Sequence, residues 1–371
     1  MEREQLIKGM DLSVLAEVEA CGGKYFDHGI QGDAMKILAG YGMNMVRLRL
    51  WNDPYDAQGN SYGAGTCDLP CVMGLARRAK RLGIAWMLDM HYSDFWADPQ
   101  KQMLPKAWEG KTLEELAKAV EEYTFSVLTV LKESRLLPAV VAVGNEITNG
   151  LLWPIGKFSD SKAMVRLINA GIDGIRRVKP DLPIMLHLDN GGNNELYRTW
   201  FDTYFAAGGK DFTYIGLSYY PFWSGTLEDL HRNMNDLAGR YRKDMIVAEV
   251  SAGFTLEDYQ AYEQLSDDKR KGMAAKPQVT RQVPYPMTPE GQSRFMQDFI
   301  EVLRKVEGNR GKGFIYWGPE WIPVPGSEWA GEEAIRYMKE KGPGGNEWAN
   351  QALFDYDGNA LPALEVIRDA R

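Results

Sequence analysis

The sequence predicts a closed parallel (β/α)8 barrel, and three observations predict it. Eight short apolar runs of β-type composition alternate with helix-like segments along the 371 residues. No linker, short-period repeat or low-complexity stretch interrupts that alternation. Polar and acidic residues recur just past the runs, where the carboxyl ends of barrel strands would carry a site. The alternative, an open doubly wound sheet that binds a dinucleotide, needs a glycine-rich first turn. "GMDLSV" after the first run is not G-x-G-x-x-G.

In chain order the runs are Ile7–Met10, Met45–Leu50, Ala85–Met90, Ala139–Val143, Ile184–Leu188, Tyr214–Ser218, Met245–Ala248 and Gly313–Trp317. Between the second and third, Asp68-Leu69-Pro70 opens a helix. Its face is Leu75, Ala76, Ala79 and Leu82, and Gly83 stops it. The next helix, Leu113 to Ser134, repeats Leu116, Val120, Val127, Leu128 and Leu131 on one side. Ala163 to Val178 does the same with Met164, Leu167, Ile168, Gly171 and Ile175. Thr226-Leu-Glu-Asp resembles a capping box, and Thr288-Pro289-Glu290 is a second N-terminal signal. The expected organisation is one catalytic barrel over residues 1–371, with long loops at about 251–287 and 318–350.

Composition narrows the function classes. The chain is 44% hydrophobic and 25% charged, with a net charge of -8, so it has no bulk attraction for nucleic acid. Cys21, Cys67 and Cys71 are expected as free thiols, because Cys67-x-x-x-Cys71 has no second pair to complete a zinc site. The N-terminal "MEREQLIKGMDLS" has no apolar export segment, and no run of 18 apolar residues occurs, so no membrane is expected as a partner.

The residues after the runs carry the chemistry. They are Asp11; Arg47 and Arg49; Asp89 and His91; Asn145-Glu146; His187 and Asp189; Tyr219-Tyr220; Glu249; and Trp317 with Glu320-Trp321. Glu146 and Glu249 leave the fourth and seventh runs and would face each other across the barrel mouth. Six of the 11 Trp (Trp51, Trp96, Trp153, Trp223, Trp317, Trp321) fall just past strand ends. Two opposed carboxylates in an aromatic-lined cleft suit glycoside hydrolysis: one protonates the leaving oxygen and the other attacks the anomeric carbon. Sugar faces rich in C–H stack on aromatic rings. Each residue also has a plainer reading. A lone acid past a strand can be a helix cap, a strand-end Trp can be packing, and His91 can be a satisfied core histidine. Arg49 can be a structural ion pair with Asp11 or Asp89. A metal site on His91, His187 and Asp189 lacks H-x-H or H-E-x-x-H spacing.

Longer motifs carry a resemblance. "KGMDLSVL", "GGKYFD", "VRLRLWNDPYD", "LDMHYSDFWADPQKQMLPKAW", "VAVGNEITNGLLWP", "GLSYYPFW", "VAEVS" and "YWGPEW" resemble glycoside hydrolase family 53. These are the endo-β-1,4-galactanases (arabinogalactan endo-β-1,4-galactosidases) of clan A. The resemblance implies Glu146 as general acid/base and Glu249 as nucleophile, in a retaining double displacement. It implies Asn145 on the sugar 2-hydroxyl and Arg49 and His91 lining the same subsite. Tyr219 would hydrogen-bond the nucleophile, Trp317 would form the floor, and Asp11, Trp96 and Trp153 would be further sugar contacts. The implied substrate is β-1,4-galactan, as polysaccharide or oligosaccharide, cleaved by a monomer with no required cofactor. Bacterial relatives often bind calcium between the seventh and eighth strands. Here that segment, "FTLEDYQAYEQLSDDKRKGMAAKPQ", holds Glu257, Asp258, Asp267 and Asp268 without a closely alternating ligand run, which does not support calcium. The family is usually secreted, yet no signal peptide is visible. The rival readings are another clan A β-glycanase, a catalytically silent galactan-binding barrel, and a phosphate-binding barrel. "VSAGFT" and "WGPEW" offer the last no convincing glycine-rich loop.

Overall fold

The computed structural model of the chain describes residues 5–259, 280–339 and 345–370. Strand β1 (Ile7–Asp11) is followed by a hairpin, β2 (Tyr25–Asp27) and β3 (Ile30–Gly32). Then come β4 (Met45–Leu50), β5 (Ala85–Met90), β6 (Val140–Val143), β7 (Ile184–Leu188), β8 (Tyr214–Tyr219), β9 (Asp244–Val250) and β10 (Gly311–Tyr316). Outside the hairpin, the strands close in the order β1-β10-β9-β8-β7-β6-β5-β4, every pairing parallel. The expected barrel is therefore present, one strand for each of the eight apolar runs. The hairpin was not expected. Its three-residue strands are too short to declare a period. Its turn is formed by His28 and Gly29, both at positive φ, the combination that matches strand twist.

The helices start where the sequence places caps. In α3 (Leu69–Arg81), Asp68 accepts from the Cys71 amide, and Pro70 occupies the first turn. Thr112 and Glu115 form a full capping box on α4 (Leu113–Glu133), and Thr226 and Asp229 form another on α7 (Leu227–Tyr241). Asp160, Asn193 and Thr288 cap α5 (Ser161–Val178), α6 (Asn194–Ala206) and α8 (Pro289–Arg304). Each satisfies an amide the helix itself cannot. Two short helices, α1 (Leu15–Ala20) and α2 (Ala34–Gly40), fill the first connection. Two more, α9 (Glu332–Met338) and α10 (Ala363–Asp369), flank the C-terminal end. The expected loop at about 318–350 thus contains α9. Much of the other long loop, residues 260–279, lies outside the described residues and includes Asp267 and Asp268.

Period-two alternation decides which side chains enter the barrel. Val46, Leu48, Leu50, Leu88, Met90, Val141, Val143, Leu186 and Leu217 join the core shared with the helices. Met45, Met87, Val140, Ala142, Met185, Ile246, Ala248 and Ile315 form a separate apolar plug inside the barrel. One turn higher, the same parity delivers Asp11, Arg47, Asp89, His187 and Ser218, all buried. Strand β9 breaks the rule. Against β8 its pairing steps from Leu217↔Val247 to Ser218↔Glu249, and against β10 from Phe314↔Val247 to Tyr316↔Val250. The extra residue is a β-bulge at Ala248. Strict alternation from Ile246 would turn Glu249 toward the helices; the bulge keeps Ala248 and Glu249 both inward.

The turn after β6 is equally constrained. Gly144 sits at φ +80°, and an added Cβ would lie 2.5 Å from Ile147 Cγ2. Gly144→Ala is expected to cost about 1–3 kcal/mol of stability. Gly74→Ala, in open space on α3, should gain about 0.5–1 kcal/mol. Urea denaturation of the two variants checks the contrast, and equal shifts would contradict it.

Candidate active site

The polar layer above the plug is built on Arg47. Its Nη1 donates to Asp11 Oδ2 at 2.8 Å, and its Nη2 donates to Asp89 Oδ2 and Asn145 Oδ1, each at 2.7 Å. Glu249 Oε1 lies 2.9 Å from the same Nη2. Burial opposes the guanidinium charge, but Asp89, Glu249 and Asp11 outweigh it and raise the pKa. Asp89 shows the reciprocal effect: burial pushes its pKa up, Arg47 and His91 pull it down further, and it settles at about 2. His91 Nδ1 accepts from Trp51 Nε1 at 3.2 Å and from the Ala97 amide at 3.1 Å. Its Nε2 must therefore carry the proton that bridges 3.0 Å to Asp89. Arg49 reaches Asp11 Oδ1 at 3.5 Å and lies 4.3 Å from the Trp96 ring centroid, a cation–π contact.

Over this layer stand the two glutamates. Glu146 follows Gly144-Asn145 and is held at φ 45°, ψ 51°, a left-handed conformation that costs a non-glycine residue about 1–3 kcal/mol. Asn145 is pinned on both sides: its Nδ2 donates to the Ala97 carbonyl, and its own carbonyl accepts from Gln102. One carboxylate oxygen of Glu146, one of Glu249 and one nitrogen of His187 lie within 4.8 Å of one another. The glutamates' environments differ. Glu249 meets Arg47 and accepts from Tyr220 Oη at 2.7 Å. Glu146 has Ser218 Oγ at 2.6 Å and otherwise faces carboxylates. Burial raises the pKa of both. For Glu146, Glu249 and Asp189 raise it further; for Glu249, Arg47 and Tyr220 pull it back. A single proton shared by the pair therefore resides on Glu146.

The structure redistributes several expected roles. Tyr219 does not reach the nucleophile position. It is the last residue of β8, one step out of phase with Ser218, so its ring stacks on Phe295 and Phe299 of α8, and its Oη donates to the Gly225 carbonyl. The bond to Glu249 comes from Tyr220. Arg47, not Arg49, contacts Glu249. Asp11 is 1% exposed, its oxygens taken by Arg47, Arg49 and the Ser13 amide, so it braces arginines and has no free edge for sugar. His91 is likewise buried and fully paired beneath the mouth. Trp96, Trp317 and Trp321 form one aromatic cluster with centroids 5.8–6.4 Å apart. Trp153 lies in the same connection as Glu146, with its Nε1 on the Asn149 carbonyl. Trp51 and Trp321 are fully buried scaffold, and Trp223 is exposed. Both nitrogens of His187 are occupied, by Asn145 and Ser218. Arg47, His187 and Tyr220, named among the strand-end residues but given no role toward the glutamates, are thus site residues, and Ser218 is one that the sequence reading did not single out.

Arg47→Met should strand three buried carboxylates and cost about 3–5 kcal/mol, read by urea denaturation. Arg47 holds the Glu249 pKa down, so its removal should also move the Glu249 titration to higher pH. A stability loss under 1 kcal/mol would contradict the central place given to this residue.

Comparison with known proteins gives the family. The model of glycosyl hydrolase family 53 matches residues 7–367. An uncharacterised protein of Niallia circulans is 38% identical, over 99% of this chain and 95% of its own. The endo-β-1,4-galactanase of Bacillus subtilis is 34% identical, over 99% of this chain and 86% of its own. Among solved structures, the GH53 catalytic domain of Ignisphaera aggregans superposes with a TM-score of 0.89 at 38% identity, covering 98% of this chain and 95% of that one. With the match running from the first barrel strand to the last helix, and two glutamates opposed at the barrel mouth, the chain belongs to glycosyl hydrolase family 53.

Proposed function

We propose that the protein is a retaining endo-β-1,4-galactanase acting on galactan chains such as those of type I arabinogalactan, with Glu146 as acid/base and Glu249 as nucleophile. The observation that carries this reading is the close, electrostatically unequal pair: carboxylate oxygens within 4.8 Å, one glutamate paired with Arg47 and Tyr220, the other facing carboxylates. That separation leaves no room for a water between them and favours direct attack. Glu146 gives its proton to the glycosidic oxygen while a Glu249 oxygen attacks the anomeric carbon. The bond to the leaving sugar breaks and a glycosyl ester forms. Water then enters, Glu146 takes its proton, the new C–O bond forms on the face the leaving sugar vacated, and the ester bond breaks. Two inversions restore the β-anomer. The Trp96–Trp317 cluster beside Arg49, and Trp153 in the connection after Glu146, would supply apolar faces suited to the C–H faces of galactosyl units. The named activity of the Bacillus subtilis relative supports galactan over mannan or xylan.

Linear β-1,4-galactan should yield oligosaccharides whose newly formed reducing ends appear first as the β-anomer by proton NMR. Faster cleavage of galactomannan or xylan, or an α-anomer formed first, would overturn the reading.

The tyrosines separate the two geometric alternatives. Tyr220→Phe removes a donor that keeps Glu249 ionised. It should lower kcat/KM by about 10-fold or more and move the acidic limb of the rate profile to higher pH. Tyr219→Phe should leave both unchanged and cost only about 1 kcal/mol of stability through the lost bond to Gly225. The reverse pattern would restore Tyr219 to the site.

A further inference from the structure

Three groups beside Glu146 have no part in the scheme above: the Asn145 amide, His187 and Ser218. Their hydrogen bonds leave few free choices. Arg47 Nη2 donates to Asn145 Oδ1 at 2.7 Å, and Asn145 Nδ2 donates to the Ala97 carbonyl at 2.9 Å, so the amide has one orientation. His187 Nδ1 lies 2.9 Å from that same Oδ1 and must carry a proton. Burial, and then Arg47, lower the His187 pKa to about 3, so the ring is neutral and its Nε2 is bare. Among the described residues, the atom within hydrogen-bond distance of that nitrogen is Ser218 Oγ, at 2.8 Å. Ser218 Oγ is also 2.6 Å from Glu146 Oε1. Both Ser218 and His187 are 1% exposed, which keeps bulk water from serving as a third partner. One hydroxyl proton thus has two acceptors.

We propose that the Ser218 hydroxyl is a two-position switch, shared between His187 Nε2 and Glu146 Oε1, that makes Ser218 and His187 positioning residues for the proton of Glu146. In the free enzyme with Glu146 protonated, the carboxylic O–H donates to Ser218 Oγ, Ser218 donates to His187 Nε2, and every group is paired; when substrate binds, that O–H turns from Ser218 to the glycosidic oxygen. When Glu146 releases its proton to the leaving oxygen, Ser218 turns and donates to the carboxylate, leaving His187 Nε2 buried without a donor. When the incoming water returns a proton to Glu146, Ser218 turns back. No proton leaves His187 or Ser218 in the cycle; only the hydroxyl direction changes. The unpaired nitrogen opposes ionisation of Glu146, while the charge-assisted bond from Ser218 favours it. The other groups acting on Glu146 are Glu249 from β9, Asp189 past β7 and Asp98 past β5, all of which oppose its charge. His187 is further influenced by Asp89 and His91 from β5 and its connection and by Arg47 from β4.

The two partners then make opposite predictions. Ser218→Ala removes the donor to the carboxylate and should raise the Glu146 titration and the alkaline limb of kcat/KM by about one pH unit. His187→Phe frees Ser218 to serve the carboxylate alone and should lower both. Ser218→Thr should restore the parent position. Two readouts need no substrate. One is the infrared carboxylic C=O band of Glu146, assigned by its loss in Glu146→Gln. The other is the nitrogen NMR shifts of His187 in the unsubstituted protein, expected to report the Nδ1–H tautomer near neutral pH whether or not the variants fold. Shifts in the same direction, no shifts, or an Nε2–H or doubly protonated His187 would overturn the switch. The inference rests on the acid role proposed for Glu146, and the outcomes distinguish the two. Opposite infrared shifts in a protein that leaves galactan intact would defeat the functional reading alone. Galactan cleavage without those shifts would defeat the switch alone.

Discussion

An almost fully buried guanidinium organises the mouth of this barrel. Arg47 is 1% exposed, and an unpaired charge at that depth would not be tolerated. Its partners come from both neighbours of β4 in the ring, Asp11 on β1 and Asp89 on β5, and from β9 on the far side through Glu249. Seating one cation therefore fixes the relative height of four strands. It also leaves Asn145 Oδ1 as the remaining acceptor for the same nitrogen, which orients the residue immediately before Glu146.

From that constraint the asymmetry of the glutamates follows. Glu249 is the third carboxylate of the arginine cluster and is stabilised as an anion by it and by Tyr220. Glu146 enters from a different strand, above the cluster, where the nearest charges repel it. The backbone cost of holding Glu146 at positive φ is met by a tightly specified turn: a glycine that cannot be replaced without a clash, an asparagine bonded at both ends, and Ile147 packed beneath. The β9 bulge is the matching device on the other wall. One site is thus made by two departures from regular geometry, each supported by fully regular neighbours.

Much of this was legible in the sequence. Buried parallel strands read as continuous apolar runs, and Ser, Thr, Asp and Asn before helices announce the caps, so barrel and boundaries could be read directly. The Glu146 and Glu249 pair was visible because an acid ending an apolar run has little reason to be there except chemistry. The neighbours were harder. "RLR" and "SYY" each offer two candidates of the same type; Arg47 and Arg49 share a face and differ only in height along the strand, whereas phase separates Tyr219 from Tyr220. For the tyrosines, Ser218 is inward, so Tyr219 points out and Tyr220, the next residue in the same alternation, points inward again just past the strand end. The bulge defeats the same parity argument at Glu249, since nothing in "MIVAEV" marks an extra residue. Ser218 itself is a small hydroxyl in an apolar run and carries no signal until its neighbours are seen in space.

The closure of the ring bears on how the chain is made. Strand β1 is bonded on one edge to β4, which follows soon after it, and on the other to β10, beginning at Gly311. Lys8 Nζ is bonded to the Arg368 carbonyl, 360 positions away. A ribosome delivering the chain from its N-terminus releases the arginine of the cluster some 200 residues before the last of its three carboxylates, Glu249. Until β9 and β10 emerge, the nascent barrel has an open edge on β1 and an incompletely neutralised interior, the features that invite mispairing with other chains. Stable burial of the arginine is therefore a late, whole-chain event, and truncated translation products should be substrates for chaperones and proteases instead of smaller versions of the fold.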